Sequence, residues 1–344
     1  MNPMTKTILI SSLATGTIIT ASSHHWLMAW VGLEMNTLAI IPMISKKHHP
    51  RATEAATKYF LTQAAASAML LFASTINAWQ TGTWDITNMT NQTANMLLTM
   101  AIAMKLGLAP MHFWLPEVLQ GSTMKTALVI MTWQKLAPMA MILILSNNLS
   151  TPALLTIGVF SALLGGWAGL NQTQTRKIMA YSSIAHLGWM AAIITIMPKI
   201  LVLNLTLYLL MTLSMFLAMI LLNSKNIKDM AISSTTSLTT TTTTMLTLLS
   251  LGGLPPLTGF LPKWLILDEL TTQNLTTTAT MLALSALLSL FFYLRLGYST
   301  TITLAPNTVM TQHKWRFKPT NYTLVLTLTL PMSLFMLPLA PMMC

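Results

Sequence analysis

Long apolar runs, almost free of charge, constrain this chain more than any other feature. They lie near residues 3–21, 26–44, 57–79, 95–119, 124–145, 152–170, 178–197, 200–222, 238–270, 275–296 and 322–342. Each is long enough to cross about 30 Å of hydrocarbon. A backbone in lipid has no water to satisfy its N–H and C=O groups, so such runs fold as helices. Composition agrees: 53% of the 344 residues are hydrophobic and only 7% are charged, against roughly a quarter in soluble domains. The expectation is an all-α, polytopic membrane protein of about 11 transmembrane helices. The first run has no small-residue cleavage site and is expected to be a span rather than a removable signal.

The formal net charge of +11 comes without a dense basic block interleaved with aromatics, so nucleic acid is not an expected partner. The single cysteine, Cys344, excludes a disulfide framework and any thiolate cluster for zinc or iron–sulfur. The basic residues instead sort by side. With alternating spans, Lys46, Lys47, Arg51, Lys58, Lys125, Arg176, Lys177, Lys225, Lys228, Lys314, Arg316 and Lys318 share one side, flanked by Lys6 and Arg295. The other side has Lys199 alone. By the positive-inside rule the N-terminus and the basic loops face the compartment of synthesis and the C-terminus faces the other.

Two runs carry helix breakers. "GLAPMHFWLPE", from Gly107 to Glu117, and "GLPPLTGFLPK", from Gly253 to Lys263, share Gly, Leu, Pro, Leu and Pro at the same offsets. The run at 238–270 would reach roughly 50 Å as one straight helix, so it must break. Pro110, Pro255 and Pro256 have no N–H to donate, which frees carbonyls one turn back. At membrane depth such groups survive only against protein or water. The twin motifs fall in spans four and nine. Five spans is an odd number, so the second copy enters from the opposite side. The expected plan is a first five-helix repeat at 1–145, a second and inverted one at 146–296, and a basic loop with a final helix at 297–344, with helices four and nine broken. Paired broken helices in inverted repeats are a transporter plan.

Five ionisable residues remain inside apolar runs: Glu34, Lys105, Lys135, His186 and Lys263. A charge at mid-bilayer costs about 2.5–3.5 kcal/mol on the lenient insertion scale. Each also has a bland reading. Glu34 can be a capped structural carboxyl, the lysines can snorkel, with Lys263 nearest an interface, and His186 can be a satisfied core histidine. His112, just past the first break, is a weaker candidate of the same kind. Glu54 and Lys58, at i, i+4, read as a helix-surface pair. Asp268 and Glu269 read as a solvated helix end. The functional reading is proton handling. Burial disfavours an ammonium and a nearby carboxylate favours it, so lysines beside Glu34 can load and unload. Thr132, Gln134, Ser182 and Ser183 can hold the intervening water.

"KLGLAPMHFWLP" resembles the broken-helix motif of the antiporter-like subunits of NADH:quinone oxidoreductase, respiratory complex I. "GLPPLTGFLPKW" is similar to its second-half counterpart and "YSSIAHLGWM" to a further motif of that family. The resemblance runs over nearly the whole chain, with the opening "MNP" and the span "GLEMNTLAIIPMI" in agreement. It implies two inverted five-helix bundles within a fourteen-helix fold. This chain would have eleven helices, like animal forms that lack the first three, which leaves one side of the first bundle for another subunit or lipid. It implies proton translocation by Glu34, Lys105, Lys135 and Lys263, with His186 on a central hydrophilic axis, driven by quinone reduction elsewhere. It also implies the mitochondrial inner membrane, with the basic loops on the matrix side. No cofactor or metal is implied in this chain. NADH, FMN, iron–sulfur clusters and ubiquinone belong to partner subunits. Partners are the other complex I subunits, including neighbouring antiporter-like ones, and lipids such as cardiolipin. The chief rival is a membrane-arm scaffold that relays charge without itself pumping. A free-standing cation antiporter predicts clustered carboxylates, and a haem carrier predicts paired mid-membrane histidines. The sequence has neither.

Overall fold

The computed structural model describes residues 2–47, 49–301 and 324–339. Among them the regular elements are helices, joined by short turns and two isolated β-bridges. In chain order they are α1 (Pro3–Ser22), α2 (Trp26–Ile44), α3 (Pro50–Thr81), α4 (Gln92–Leu106), α5 (Trp114–Gly121), α6 (Met124–Thr132) and α7 (Leu136–Leu145). There follow α8 (Thr151–Gly169), α9 (Thr175–Ile193), α10 (Pro198–Leu222), α11 (Ile227–Thr236), α12 (Leu238–Gly252), α13 (Phe260–Thr272), α14 (Thr276–Thr301) and α15 (Leu324–Phe335). Lys314, Arg316, Lys318 and Cys344 lie outside the described residues.

Seven helical segments among the described residues are each long and apolar enough to cross a membrane. The other expected spans miss that standard for local reasons. Spans four and nine are divided by their breaks. α9 carries Arg176, Lys177, two serines and His186, and α15 covers 12 described residues. α3 is longer than its apolar run: its 32 residues reach about 48 Å. Pro50 at the first helical position, where an N–H has no partner anyway, starts it early. Glu54 and Lys58 therefore stand in its first turns, beyond a 30 Å hydrocarbon layer.

The expected span at 124–145 is present, and it is built as α6, a 3-10 turn at Trp133–Lys135, then α7. Pro138 lacks the N–H that would bond the Gln134 carbonyl, and its ring crowds that carbonyl, so the turn tightens. α11 was not expected. Its start is fixed by a capping box, with Asp229 Oδ2 accepting from the Lys225 and Asn226 backbone N–H groups.

The chain forms two compact units. One comprises Met1–Ser161 with Leu187–Pro198, and the other Ala162–His186 with the chain from Lys199. In the first, α1 packs on α2, α2 on α3, α3 on α4 and α5, and α7 on α1 and α4. α1 comes so close to α2 that a Cβ at Gly16 would stand 2.5 Å from Asn36 Oδ1 and 2.9 Å from the Gly32 carbonyl. In the second unit α14 packs on α11, α12 and α13, and α15 packs on α12.

Candidate functional site

The two breaks share one backbone design. α4 ends on Gly107 at φ 80°, ψ 37° and α12 ends on Gly253 at φ 77°, ψ 41°. Both lie in the left-handed region, which glycine adopts without steric cost. At the first, Gly107 N–H donates to the Met104 carbonyl and Leu108 N–H to Ala103. At the second, Gly253 N–H donates to Ser250 and Leu254 N–H to Leu249. This is the Schellman pattern, in which the turn satisfies the last helical carbonyls. Each break also holds a cis X–Pro peptide, Ala109–Pro110 and Pro255–Pro256.

Side chains also bond carbonyls at the breaks. Trp114 Nε1, at the start of α5, donates to the Met104 carbonyl at 3.1 Å, stitching the two halves of the first break. At the second, Lys263 Nζ donates to the Gly252 carbonyl at 2.8 Å. Lys263 is half-buried in the first turn of α13. Its amine turns back across the break, so snorkelling does not describe it.

Lys105 stands in the last turn of α4 and is 6% exposed. Its Nζ has no hydrogen-bond partner among the described residues. It lines a cavity of about 20 Å³ together with Asn36 and Thr37 of α2, Tyr59 and Gln63 of α3, and Gln134 of the 3-10 turn. Trp114, Leu33, Ala137 and Pro138 supply the apolar wall. The volume suits about one water, which needs two to four polar partners. The lining offers them: Asn36 Nδ2 and Oδ1 and Gln134 Nε2 are also buried without partners. Tyr59 OH donates to Gln134 Oε1 at 3.3 Å, and its ring meets Trp114 edge-on at 5.7 Å.

Glu34 is only half-buried, less deep than its position in the apolar run suggested. Thr37 Oγ1 donates to its Oε2 at 3.0 Å while Oε1 has no partner. Its carboxylate lies within electrostatic reach of Lys105 and Tyr59. Lys135 is 3% exposed and sits in the 3-10 turn beside Gln134. Glu34, Lys105 and Lys135 thus belong to the first unit. In the second, His186 is 8% exposed on α9, with its ring 5.6 Å from that of Tyr208 on α10. His112 is buried within the first break, its ring 4.3 Å from Phe113 and its Nδ1 without a hydrogen bond of normal geometry.

Several participants escaped the sequence reading. Tyr59 and Gln63 face the cavity from α3, whose buried polar residues continue at Ser67, Ser74 and Asn77. Those spacings of three, four and seven mark one helix face, a signal the sequence carries. Asn36, two residues past Glu34, is another. The Glu54–Lys58 contact is present at 2.6 Å, but Lys58 also pairs with Glu117 Oε2 at 2.6 Å. That second pair ties α3 to α5, and no local spacing announces it. Among the described residues no cluster of three or more His, Cys, Asp or Glu side chains is arranged to hold a metal.

A family profile described as "NADH:quinone oxidoreductase/Mrp antiporter, TM" matches residues 23–289, and one described as "NADH dehydrogenase subunit 2 C-terminus" matches 290–344. NADH-ubiquinone oxidoreductase chain 2 of Squalus acanthias is 57% identical over 341 residues, 99% of this chain and 98% of the relative. The chain belongs to the NADH-ubiquinone oxidoreductase chain 2 family. The family member from Xenopus laevis is 56% identical over 342 residues, covering 99% of both chains. Among solved structures, a chain of respiratory complex I from Thermus thermophilus matches with a TM-score of 0.78 and 28% identity, over 96% of this chain and 78% of that one. A chain of an archaeal membrane-bound sulfane sulfur reductase matches with a TM-score of 0.84 at 17% identity, over 97% of this chain and 72% of the other, which speaks for the fold alone. All five candidate ionisable positions, and both breaks, lie within the antiporter-type segment.

Proposed function

We propose that this chain is an antiporter-like membrane-arm subunit of a respiratory NADH:ubiquinone oxidoreductase and takes part in proton translocation. The observation that carries this reading is Lys105. Its amine is buried and unpartnered, beside a polar cavity, directly ahead of a helix break and within electrostatic reach of Glu34. An intramembrane cation held so is expensive, and structural duty alone does not repay it. Family membership and the match to a complex I chain support the wider assignment.

In this reading Lys105 receives a proton from water admitted at the break, beside the Glu34 carboxylate. Drawing Glu34 away, or desolvating the cavity, releases the proton. Lys135 in the first unit and Lys263 and His186 in the second act in the same way, each beside a distortion or a polar side chain. Moving one proton against the membrane potential takes about 2.3 kcal/mol per 100 mV. That energy comes from NADH oxidation and quinone reduction in other subunits, which hold the FMN, iron–sulfur and quinone sites. The repeated motif and the sided distribution of basic residues support eleven spans in two inverted repeats. Family membership supports a mitochondrial inner-membrane location beside other complex I subunits and anionic lipid such as cardiolipin, and the sided charge supports basic loops on the matrix side.

Lys105→Met tests the reading. It keeps the stem and removes the amine. In vesicles bearing the assembled complex, NADH-driven acidification should be lost. The thermal midpoint should hold or rise, because an unpartnered buried charge is removed. Normal pumping in this variant would leave the chain as a scaffold.

A further inference from the structure

Two tyrosines of the second unit lie in the same polar neighbourhood as the proton-handling groups. Tyr208 on α10 and Tyr293 on α14 are both fully buried. Buried phenols ordinarily find a partner for their hydroxyl. The Tyr293 hydroxyl has no hydrogen bond of normal geometry among the described residues. Its neighbouring hydroxyl is Ser182, while Ser183 is hydrogen-bonded with Tyr208, and the two phenols lie within electrostatic reach of each other.

The serines are already committed as donors. Ser182 Oγ donates to the Met179 carbonyl and Ser183 Oγ to the Ala180 carbonyl, each at 2.7 Å. Their oxygens are left as acceptors facing the phenols. On α9, Ser182 and Ser183 precede His186 by one helical turn and share its face. The Tyr208 ring is 5.6 Å from the His186 ring. At the other end, Tyr293 packs on Gly252: a Cβ added there would stand 3.7 Å from Tyr293 Cδ2. The Gly252 carbonyl is the acceptor of Lys263 Nζ.

We propose that Tyr293 and Tyr208, with Ser182 and Ser183, form a hydroxyl relay that carries protons between Lys263 and His186. The inference rests on the proton-translocation reading above. The Tyr293 oxygen takes a proton from the Lys263 side as its own O–H proton leaves to a water held by the acceptor oxygens of Ser182 and Ser183. That water gives one of its protons to the Tyr208 oxygen as the Tyr208 O–H proton passes to a ring nitrogen of His186. Each hop makes one O–H or N–H bond and breaks one, so no oxidant or reductant enters. The Tyr293 hydroxyl is the movable link, because its approach to Ser182 lacks normal hydrogen-bond geometry and little has to break before it turns.

The test uses Tyr208→Phe and Tyr293→Phe in the assembled complex, which remove one oxygen and keep each ring. Rates are expressed per assembled complex, so a loss of assembly does not mask the result. Each variant should lower NADH-driven proton pumping about tenfold or more, enlarge the solvent deuterium isotope effect and leave the thermal midpoint near that of the parent. Ser182→Ala should act in the same direction. Lys263→Met separates the two levels. If Lys263→Met pumps normally, the translocation reading of this unit fails. If it abolishes pumping while both phenylalanine variants pump within about twofold of the parent, only the tyrosine relay is overturned.

Discussion

Gly253→Ala and Gly107→Ala are the same chemical change at the same point of two like breaks, yet they should have unlike consequences. Both glycines hold left-handed backbone, at φ 77° and 80°, which costs another residue about 1–2 kcal/mol. At Gly107 the new methyl would meet Leu115 Cδ1 at 3.2 Å and Trp114 Cζ2 at 3.4 Å, side-chain atoms that can give slightly. At Gly253 it would meet Lys263 Cδ at 2.8 Å, Nζ at 3.0 Å and Cε at 3.1 Å. The lysine must move, and its 2.8 Å bond to the Gly252 carbonyl goes with it. A hydrogen bond to a charged group is worth about 1.5–3 kcal/mol. At about 1.4 kcal/mol per tenfold, the fraction of molecules with Lys263 seated falls by roughly ten- to a hundredfold. The assay is initial NADH-driven acidification in vesicles, per assembled complex. Gly253→Ala should reduce it about tenfold or more, and Gly107→Ala should leave it within about twofold. Combining Gly253→Ala with Lys263→Met should add nothing to Lys263→Met alone, since contacting residues couple. Equal loss in the two glycine variants, or an additive double variant, would refute the seating argument.

Two further perturbations probe the first unit. Gly16→Val should drive α1 from α2 and displace Asn36, whose Oδ1 would lie 2.5 Å from the added Cβ. Overpacking of that kind costs about 1–3 kcal/mol, and both the thermal midpoint and the pumping rate should fall. Glu117→Gln should break the pair with Lys58 but leave pumping unchanged, with only a small, salt-sensitive shift in stability, because exposed ion pairs contribute little.

The helical class, the positions of both breaks and the identity of the buried lysines were legible because each follows from local chemistry. Lipid forbids unsatisfied backbone, proline forbids a regular turn, and a lysine in an apolar run has no cheap explanation. The 3-10 turn at Lys135 was legible too, in Pro138 three residues on, although the long apolar run concealed it. Residues far apart in the chain were another matter. That Gln63 and Gln134 line one cavity, that Lys58 reaches Glu117, that Lys263 folds back onto Gly252 and that Tyr208 meets His186 depend on how helices pack. Helix periodicity tells which side chains share a face but not which face meets which. The sequence by itself therefore determined where charge is buried and where helices must stop. Only the tertiary structure decided which amine is left without a partner and which is bonded, because that turns on contacts between helices distant in sequence.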